Sequence, residues 1–369
     1  MLQPRDEADI AEIIATATGA LEPVAGGSLR GVGRPVAAET LDLSALSGIV
    51  EYEPDELVLT VRAATPLEAV EQALGGRAQR LAFEPPDWTR LLGAAGKATI
   101  GGVLAANLSG PRRVTAGAAR DHFLGFRAVS GRGDRFKAGG RVVKNVTGYD
   151  LPKLLAGSWG TLAVLTEVTV RVHPAPEHER TLMLPVSEPR AAIRSMTDAL
   201  ASACDVSAAA FLPGRGVGLR LEGFVPSVNA RAAQLLALLG GPDCLWLEAE
   251  DSRRFWTEVG AAASLAAHPI VWRLSVPPSD AARLLETIAP EDYLLDWGGG
   301  LIWIGAREAD TERVRGALRG GHATLIKAPR EVRAATGVFQ PPPGPLAAVT
   351  ARVKAAFDPA GRLNPGRMS

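Results

Sequence analysis

The chain has 369 residues, more than one ordinary hydrophobic core organises, and this length is typical of two domains. Its 40 basic and 40 acidic residues cancel, so no overall charge directs it to nucleic acid or an anionic membrane. Charged residues interrupt every apolar run, so the sequence predicts no membrane span. With two cysteines and no apolar signal-peptide core at the N-terminus, a cytoplasmic location is expected.

The first part of the chain alternates predicted helices and strands. Asp6 is predicted to cap a first helix, which Gly19 ends. A capping box at Thr65-Pro66-Leu67-Glu68 predicts a second helix, which stops at Gly75-Gly76. This rhythm favours an α/β domain. Strands are predicted through Val24 and at 49–53, 57–62 and 122–130.

Three stretches rich in small residues lie in the same part, at 24–35, 99–113 and 140–167. The second contains Gly101-Gly102, where main-chain N–H groups can approach a flat or phosphorylated ligand without a side chain in the way. The first adds the Ser28 hydroxyl and the charges of Arg30 and Arg34, a composition that suits an anion-binding loop. A tight turn packed in the core is the alternative interpretation of the glycine pair.

A nicotinamide-type dinucleotide fingerprint is a weaker interpretation of the first stretch. Gly31-Val32-Gly33 supplies part of that pattern, but no third glycine opens a helix and Pro35 follows closely. The sequence therefore disfavours that fold.

A domain boundary is predicted at His173-Pro174-Ala175-Pro176, where prolines end regular structure. Beyond it, apolar runs alternate with helical patterns, which predicts an α+β domain with an antiparallel sheet. The predicted strands lie near Leu182, Ala208, Leu219, Leu245, Trp272, Leu294 and Ile302, and the helices near Ala192, Ala232, Val259, Leu284 and Val314. A last helix is predicted at 347–357.

Taken together, the small-residue stretches resemble the FAD-binding domain of the vanillyl-alcohol oxidase, or PCMH, type, and 143–151 with 157–167 resembles its 2-hydroxy-acid dehydrogenase branch. Over nearly the whole chain the resemblance is to the FAD-binding E subunits of bacterial glycolate oxidases. Further motifs carry it: Glu84-Pro85-Pro86, Gly110-Pro111-Arg112-Arg113, Asp296-Trp297-Gly298-Gly299, Gly320-Gly321-His322-Ala323-Thr324 and Asn364-Pro365-Gly366-Arg367-Met368.

The resemblance implies an α+β protein in three parts. A PCMH-type FAD-binding domain of two α/β subdomains is expected at 1–174, and an α+β cap domain with an antiparallel sheet at 175–330. A C-terminal segment, 331–369, is expected to return to the FAD domain.

The cofactor implied by the resemblance is FAD. Related flavoproteins often attach it through a histidine in or near the first loop; 24–35 has none, so FAD is expected to bind non-covalently. The expected FAD-binding residues are Ala25, Gly26, Gly27, Ser28, Leu29, Pro86, Thr99, Gly101, Gly102, Ala106, Asn107, Ser109, Gly110, Gly160, Val164 and Asn364. Tyr149, Lys144 and Asn145 are further candidates, although a structural role is the better interpretation of each.

Two residues are candidates for catalysis. Arg273 alternates with apolar residues on a predicted cap strand, and its guanidinium suits bidentate pairing with a carboxylate. His322 is a candidate general base. A solvated arginine on the outer face of the sheet and a structural histidine are the alternatives.

A metal site is not predicted. In the catalytic 2-hydroxy-acid dehydrogenases of the family, two histidines flank a Gly-Asp-Gly-Asn run and help hold a metal over the substrate. In this sequence Leu295 and Ile302 occupy the corresponding positions, and neither side chain is a metal ligand.

The resemblance implies a glycolate oxidase (glycolate dehydrogenase) subunit that relays electrons through FAD as glycolate and related 2-hydroxy acids become 2-oxo acids. It also implies two partners, a homologous FAD-containing catalytic subunit and an iron–sulfur subunit, and a peripheral association with the inner membrane through that complex. A stand-alone FAD-dependent 2-hydroxy-acid dehydrogenase and a non-catalytic scaffold subunit are the alternatives.

Overall fold

The structure, a computed structural model, describes residues 1–140, 148–241 and 243–368. Internal contacts divide the chain into two compact units. Unit 1 comprises residues 1–108, 118–174 and 333–369, and unit 2 comprises residues 109–117 and 175–332. The predicted first domain contained residues 109–117, whereas the structure groups this segment with unit 2. The roles expected of the three predicted parts, as FAD domain, cap and returning segment, stay predictions.

Within the described residues, unit 1 contains a five-stranded antiparallel sheet and two small two-stranded ones. Its elements are α1 (Glu7–Thr16), β1 (Leu21–Val24), β2 (Glu39–Asp42), β3 (Ile49–Glu53), β4 (Val58–Arg62), α2 (Leu67–Gly75), β5 (Gln79–Arg80), α3 (Thr89–Leu92), α4 (Ile100–Ala106), α6 (Ala119–His122), β6 (Phe123–Ser130), β7 (Arg135–Gly139), α7 (Leu151–Leu155), β8 (Ala163–Arg171), β9 (His173–Pro174) and α14 (Gly344–Phe357). The strand order of the large sheet is β3-β4-β8-β6-β7.

Among the described strands of unit 1, only β1 and β2 pair in parallel. The large sheet is antiparallel because short turns join β3 to β4 and β6 to β7, and such turns reverse the chain. β8 lies at its centre, with Val168 and Val170 fully buried. The predicted strands at 49–53, 57–62 and 122–130 all appear, each within one residue of its predicted start.

The two predicted helix starts had different outcomes. Asp6 caps α1 by accepting hydrogen bonds from Ala8 N at 2.8 Å and Asp9 N at 2.9 Å, which confirms the prediction. The capping box at Thr65 is wrong. Its hydroxyl donates to the Arg62 carbonyl at 2.7 Å, and α2 begins after Pro66 without a side-chain cap.

The described part of unit 2 contains an eight-stranded antiparallel sheet with helices between its strands, so the predicted α+β architecture is confirmed. Its elements are α5 (Arg113–Ala116), β10 (His178–Leu184), α8 (Pro189–Ala201), β11 (Ala208–Leu212), β12 (Gly216–Gly223), α9 (Val225–Leu239), β13 (Leu245–Glu248), α10 (Ala249–Gly260), β14 (Ile270–Ser275), α11 (Ala281–Ile288), β15 (Asp292–Asp296), β16 (Leu301–Ala306), α12 (Thr311–Gly316) and β17 (His322–Lys327). The sheet order is β13-β10-β12-β11-β15-β16-β14-β17. Helix α13 (Arg330–Ala335) follows where the chain leaves unit 2.

None of the helices in the described part of the chain is both long and apolar enough to cross a membrane.

The C-terminal tail is fixed to unit 1 by a buried carboxylate. Asp358 accepts hydrogen bonds from Arg362 N at 3.0 Å and Leu363 N at 2.8 Å, and it pairs with the Lys354 ammonium. Leu363 lies beside Leu21 of β1, where Leu21 N donates to the Arg362 carbonyl at 2.7 Å. The tail therefore returns to the first strand of the chain.

We expect Asp358→Ala to destabilise unit 1 by about 2–4 kcal/mol, because a buried N–H group, a partly buried one and the lysine ammonium lose their acceptor. The midpoint of thermal unfolding should fall by several degrees. Asp55→Ala, which alters an exposed carboxylate, is the matched control and should leave the midpoint unchanged. Equal midpoints for the two variants would contradict this account of the tail.

Candidate cofactor site

A cavity that is partly open to solvent lies in unit 1. Four segments form its walls: the loop after β1, helix α4, the turn before β8 with the start of that strand, and the tail at residues 364–367. Residues from the N-terminal and the C-terminal parts of the chain therefore line the same cavity.

The loop after β1 presents bare main chain to the cavity. A Cβ atom on Gly26 would lie 1.9 Å from the Lys97 carbonyl oxygen, and Gly27 has a φ of +76°, so glycine is required at the first position and favoured at the second. In the part of the chain that the structure describes, the N–H groups of Gly26, Gly27 and Leu29 donate no hydrogen bond. Such free donors suit an anion such as a pyrophosphate.

Helix α4 forms a second wall, and its two glycines differ. A Cβ on Gly101 would lie 2.6 Å from the Ala63 carbonyl oxygen, so this residue allows the helix to pack closely. A Cβ on Gly102 would meet only the Thr99 hydroxyl, at 3.1 Å. Gly102 is therefore the glycine whose missing side chain keeps the cavity open.

The N–H groups in the first turn of α4 are already used within the protein. Gly101 N donates to the Ala63 carbonyl at 2.8 Å, Ile100 N to the Thr65 carbonyl at 3.1 Å, and Gly102 N to the Thr99 hydroxyl at 3.3 Å. This helix therefore supplies a smooth wall, and the free donors come from the first loop.

Asn364 brings an unpaired acceptor to the cavity. The residue is 3% exposed, and its Nδ2 donates to the Trp159 carbonyl at 2.9 Å. Its Oδ1 is buried without a hydrogen-bond partner among the described residues. A buried polar atom of this kind is normally paired, so a donor on a bound group would complete its hydrogen bonding.

A charge cluster with two buried members, Glu22 and Arg367, lies beside the first loop. Glu22 pairs with the Arg30 guanidinium and lies 3.6 Å from Arg367 Nη1. Arg367 also donates from Nη2 to the Leu29 carbonyl at 2.9 Å, which fixes the loop to the tail. Burial lowers the pKa of Arg367, whereas the Glu22 carboxylate raises it.

Most of the predicted FAD-binding residues meet at this cavity. Those that line it are Ala25, Gly26, Gly27, Ser28, Leu29, Thr99, Gly101, Gly102, Ala106, Gly160, Val164 and Asn364. Sequence reasoning missed Glu22, Trp159 and Arg367, which also line it. Arg367 belongs to the motif Asn364-Pro365-Gly366-Arg367-Met368, which is the sequence feature that could have indicated its place at the site.

Four predicted residues lie elsewhere. Pro86 is buried outside the cavity lining. Asn107 is the left-handed C-cap of α4, and its Oδ1 accepts a hydrogen bond from Arg120 N at 3.0 Å. Ser109 and Gly110 belong to unit 2. Of the secondary candidates, Tyr149 is 90% exposed, and Lys144 and Asn145 lie outside the described residues.

The two catalytic candidates lie in unit 2. Arg273, on β14, has Trp303 of β16 as a cross-strand partner, and His322 begins the neighbouring strand β17 opposite Ser275. Desolvation and the charge of Arg113 lower the pKa of Arg273 to about 10, with Asp296 opposing them, so Arg273 stays cationic at neutral pH. Desolvation, Arg273 and Arg113 lower the pKa of His322.

Leu295 and Ile302, at the positions that carry histidine in the metal-dependent relatives, are cross-strand partners on β15 and β16. Both are fully buried, so they pack in the core of the sheet. The described residues contain no group of three or more His, Cys, Asp or Glu arranged to hold a metal ion.

Two parts of the chain match known families. Residues 1–139 match the FAD binding domain, and residues 344–368 match the C-terminal domain of FAD linked oxidases. The chain is 36% identical over 340 residues to glycolate oxidase subunit GlcE of Escherichia coli (strain K12), covering 91% of this chain and 89% of that protein. The chain belongs to the GlcE family of FAD-linked oxidases. The PCMH-type domain and the FAD cofactor that the sequence predicted are thereby confirmed.

Relatives outside the GlcE family match less closely. The chain is 32% identical over 157 residues to glycolate oxidase subunit GlcD of Bacillus subtilis (strain 168), covering 42% of this chain and 32% of that one. A solved structure of alkyldihydroxyacetonephosphate synthase has a TM-score of 0.68 at 15% identity, covering 98% of this chain and 76% of that chain. This likeness shows the fold.

The cavity residues fit the family's cofactor. Free loop N–H groups suit its pyrophosphate, the smooth wall of α4 suits a flat ring system, and the Asn364 Oδ1 offers an acceptor. We therefore expect FAD to lie between the first loop, α4 and the tail.

We expect Gly102→Val to weaken FAD binding by about 10- to 100-fold, because a branched side chain fills cavity space the cofactor needs. The protein should stay folded, since the new Cβ meets only the Thr99 hydroxyl. Titration of the FAD-free protein with FAD, followed by flavin fluorescence, measures the change.

Gly75→Val is the matched control, because Gly75 ends α2 with no atom within 4 Å of an added Cβ. It should bind FAD as the unaltered chain does. Full FAD affinity in Gly102→Val would mean that α4 is a packed helix and not a cofactor wall.

Proposed function

We propose that this chain is the FAD-binding subunit of a glycolate oxidase complex, which oxidises glycolate and related 2-hydroxy acids to glyoxylate and other 2-oxo acids. The observation that carries the proposal is the cavity of unit 1, in a chain that matches the E. coli GlcE subunit over nine-tenths of its length. Bound FAD supplies a two-electron acceptor. The residues of this chain hold it and exclude water around it.

The FAD cavity separates this proposal from a scaffold without cofactor. The first loop requires glycine at residue 26, where the main chain contacts Lys97, and the buried Asn364 Oδ1 has no hydrogen-bond partner among the described residues. A bound cofactor explains both features, whereas a scaffold without a cofactor does not.

The choice between a complex subunit and a stand-alone dehydrogenase rests on unit 2. Oxidising a 2-hydroxy acid requires removal of the hydroxyl proton as hydride leaves, and a metal ion assists such a step. Leu295 and Ile302, which stand where metal-dependent relatives carry histidine, form a buried apolar pair. Neither offers an atom that binds a metal. This favours a division of labour in which a homologous GlcD-like flavin subunit carries the metal-assisted site.

An iron–sulfur subunit that receives the electrons completes the proposed complex. A cytoplasmic location, with a peripheral association with the inner membrane through the complex, is part of the same proposal. His322 as a general base remains a prediction.

We expect acid precipitation of the purified protein to release all of its yellow colour into the supernatant. The first loop has no histidine to form a covalent bond to the flavin. Absorbance of the supernatant and the redissolved pellet near the flavin maximum measures the partition. Colour that stays with the pellet would show a covalent attachment elsewhere in the chain.

Glycolate-dependent dye reduction tests the division of labour. We expect the isolated, FAD-loaded chain to be slow, the chain mixed with GlcD-like and iron–sulfur subunits to be fast, and a chelator to inhibit only the mixture. Isolated activity that equals the mixture and is lost on chelation would move the catalytic site into this chain.

A further inference from the structure

Helix α14 is unusually exposed for its composition. It has 14 residues, and none of them is buried. Leu346 and Val349 are large apolar residues with 54% and 44% of their surface exposed. A helix of this length is marginal in water, and in proteins most of its stability comes from packing an apolar face. An exposed apolar surface of this kind marks a site where another molecule packs.

The helix is attached to unit 1 at its C-terminal end. Lys354 Nζ donates to the carbonyls of Thr161 and Leu363, the latter at 3.1 Å. The Phe357 ring lies 5.9 Å from the Phe136 ring, centre to centre. Among the described residues, no hydrogen bond or ion pair joins 344–353 to another helix or strand.

The apolar side chains of α14 form a stripe with the spacing of a coiled coil. At intervals of three, four and three residues lie Leu346, Val349, Val353 and Ala356. This is the spacing of the a and d positions that pack between paired helices. Val353 is half-buried, and the other three are exposed. The stripe therefore suits a second helix packed along it.

The charge beside the stripe is positive. Arg352 is exposed and occupies the g position of such a repeat, next to Val353 in the a position. No acidic residue lies between Glu331 and Asp358. Residues in g positions form ion pairs with the partner helix and set the choice of partner. Carboxylates beside the apolar stripe of the partner would therefore complement Arg352.

Two other occupants fit α14 less well. In an antiparallel pair of two α14 helices the g positions face each other, so Arg352 would meet its own copy and like charges would repel. In a parallel pair it would meet no carboxylate. Helices that lie on membrane surfaces carry many Lys and Arg residues on a polar face, whereas Arg352 is the one exposed charged residue of α14. A helix of another protein is the better occupant.

Helix α14 leads into the tail that lines the FAD cavity. Asn364 and Arg367 line that cavity. Met368, 38% exposed, has its sulfur 3.8 Å from the Thr161 hydroxyl, and Lys354 of α14 donates to the carbonyl of the same threonine. An exposed surface therefore runs from α14 to the end of the tail. A partner on α14 would lie beside the wall of the cofactor site.

We propose that the α14 stripe is the docking surface for the iron–sulfur subunit that accepts electrons from FAD. The subunit would bind through a helix whose apolar stripe is flanked by carboxylates. The proposal rests on the function proposed above, which requires an electron acceptor next to the cofactor of this chain. The position of α14 beside the tail meets that requirement.

Affinity measurements of the full-length, FAD-loaded chain with each purified partner subunit test the surface. Leu346→Glu and Val349→Glu should each weaken binding to the iron–sulfur subunit by about 10- to 100-fold, because an unpaired carboxylate enters an apolar contact. Both variants should bind the GlcD-like subunit as the unaltered chain does. Biolayer interferometry measures the affinities without turnover.

Ala351→Glu is the matched control. It places the same side chain on the same helix, at an exposed position on the side opposite the stripe, and it should leave binding unchanged. Arg352→Glu should weaken binding by about 10-fold or more, because it opposes the carboxylates of the partner. Arg352→Lys keeps the charge and should weaken binding less than Arg352→Glu does.

The FAD content of each variant shows whether unit 1 is folded. Full affinity in Leu346→Glu, an equal loss in Ala351→Glu, or no binding of the iron–sulfur subunit to the unaltered chain would overturn the proposal. A selective loss of GlcD-like binding would also overturn it, as would a dimer of the isolated chain, or its binding to anionic vesicles, that Leu346→Glu abolishes. Each of these would assign the stripe to a different occupant.

The result is separable from the proposed function. A complex that assembles through α14 and does not oxidise glycolate would refute the function and leave the docking surface standing. An active complex that forms equally well with Leu346→Glu would refute the docking surface alone.

Discussion

The cofactor cavity depends on three places where one main chain approaches another too closely for any side chain. Gly26 meets Lys97, Gly96 meets the Gly26 carbonyl, and Gly101 meets Ala63. These contacts join the loop after β1, the strand-like segment before α4 and α4 itself into one surface of backbone. The loop after β1 is held in place by these close main-chain contacts. Its own N–H groups at residues 26, 27 and 29 are therefore left for a ligand.

The C-terminal tail forms the remaining wall of the cavity. Main-chain hydrogen bonds join Leu21 to residues 362–364, so the last residues of the chain run beside the first strand. Asp358 fixes the start of the tail by accepting a hydrogen bond from Leu363 N. Asn364 places an acceptor in the cavity, and Arg367 joins the first loop to the tail. The site cannot form until both ends of the chain have folded, which ties cofactor binding to the stability of the whole of unit 1.

The sequence predicted best what local composition determines. The glycine-rich loop and α4 are visible because no other residue type allows such close backbone approach, and the strands of unit 2 follow from apolar runs. The capping box at Thr65 failed because its hydroxyl accepts a hydrogen bond from Gly48 N and donates to the Arg62 carbonyl, both outside the helix. Ser109 and Gly110 belong to unit 2, where Trp297, far along the chain, donates to the Gly110 carbonyl, and no local pattern shows this contact. No local pattern shows that Glu22 and Arg367 are partners.

The most direct test of the cofactor site is hydrogen–deuterium exchange of the chain with and without FAD. The amides at 26, 27 and 29 have no acceptor within the described part of the protein, so they should exchange fast without FAD and slowly with it. Peptides from the core strand β14, already protected by the sheet, should not change. Stoichiometric FAD without slower exchange at residues 26–29 would show that the cofactor binds elsewhere.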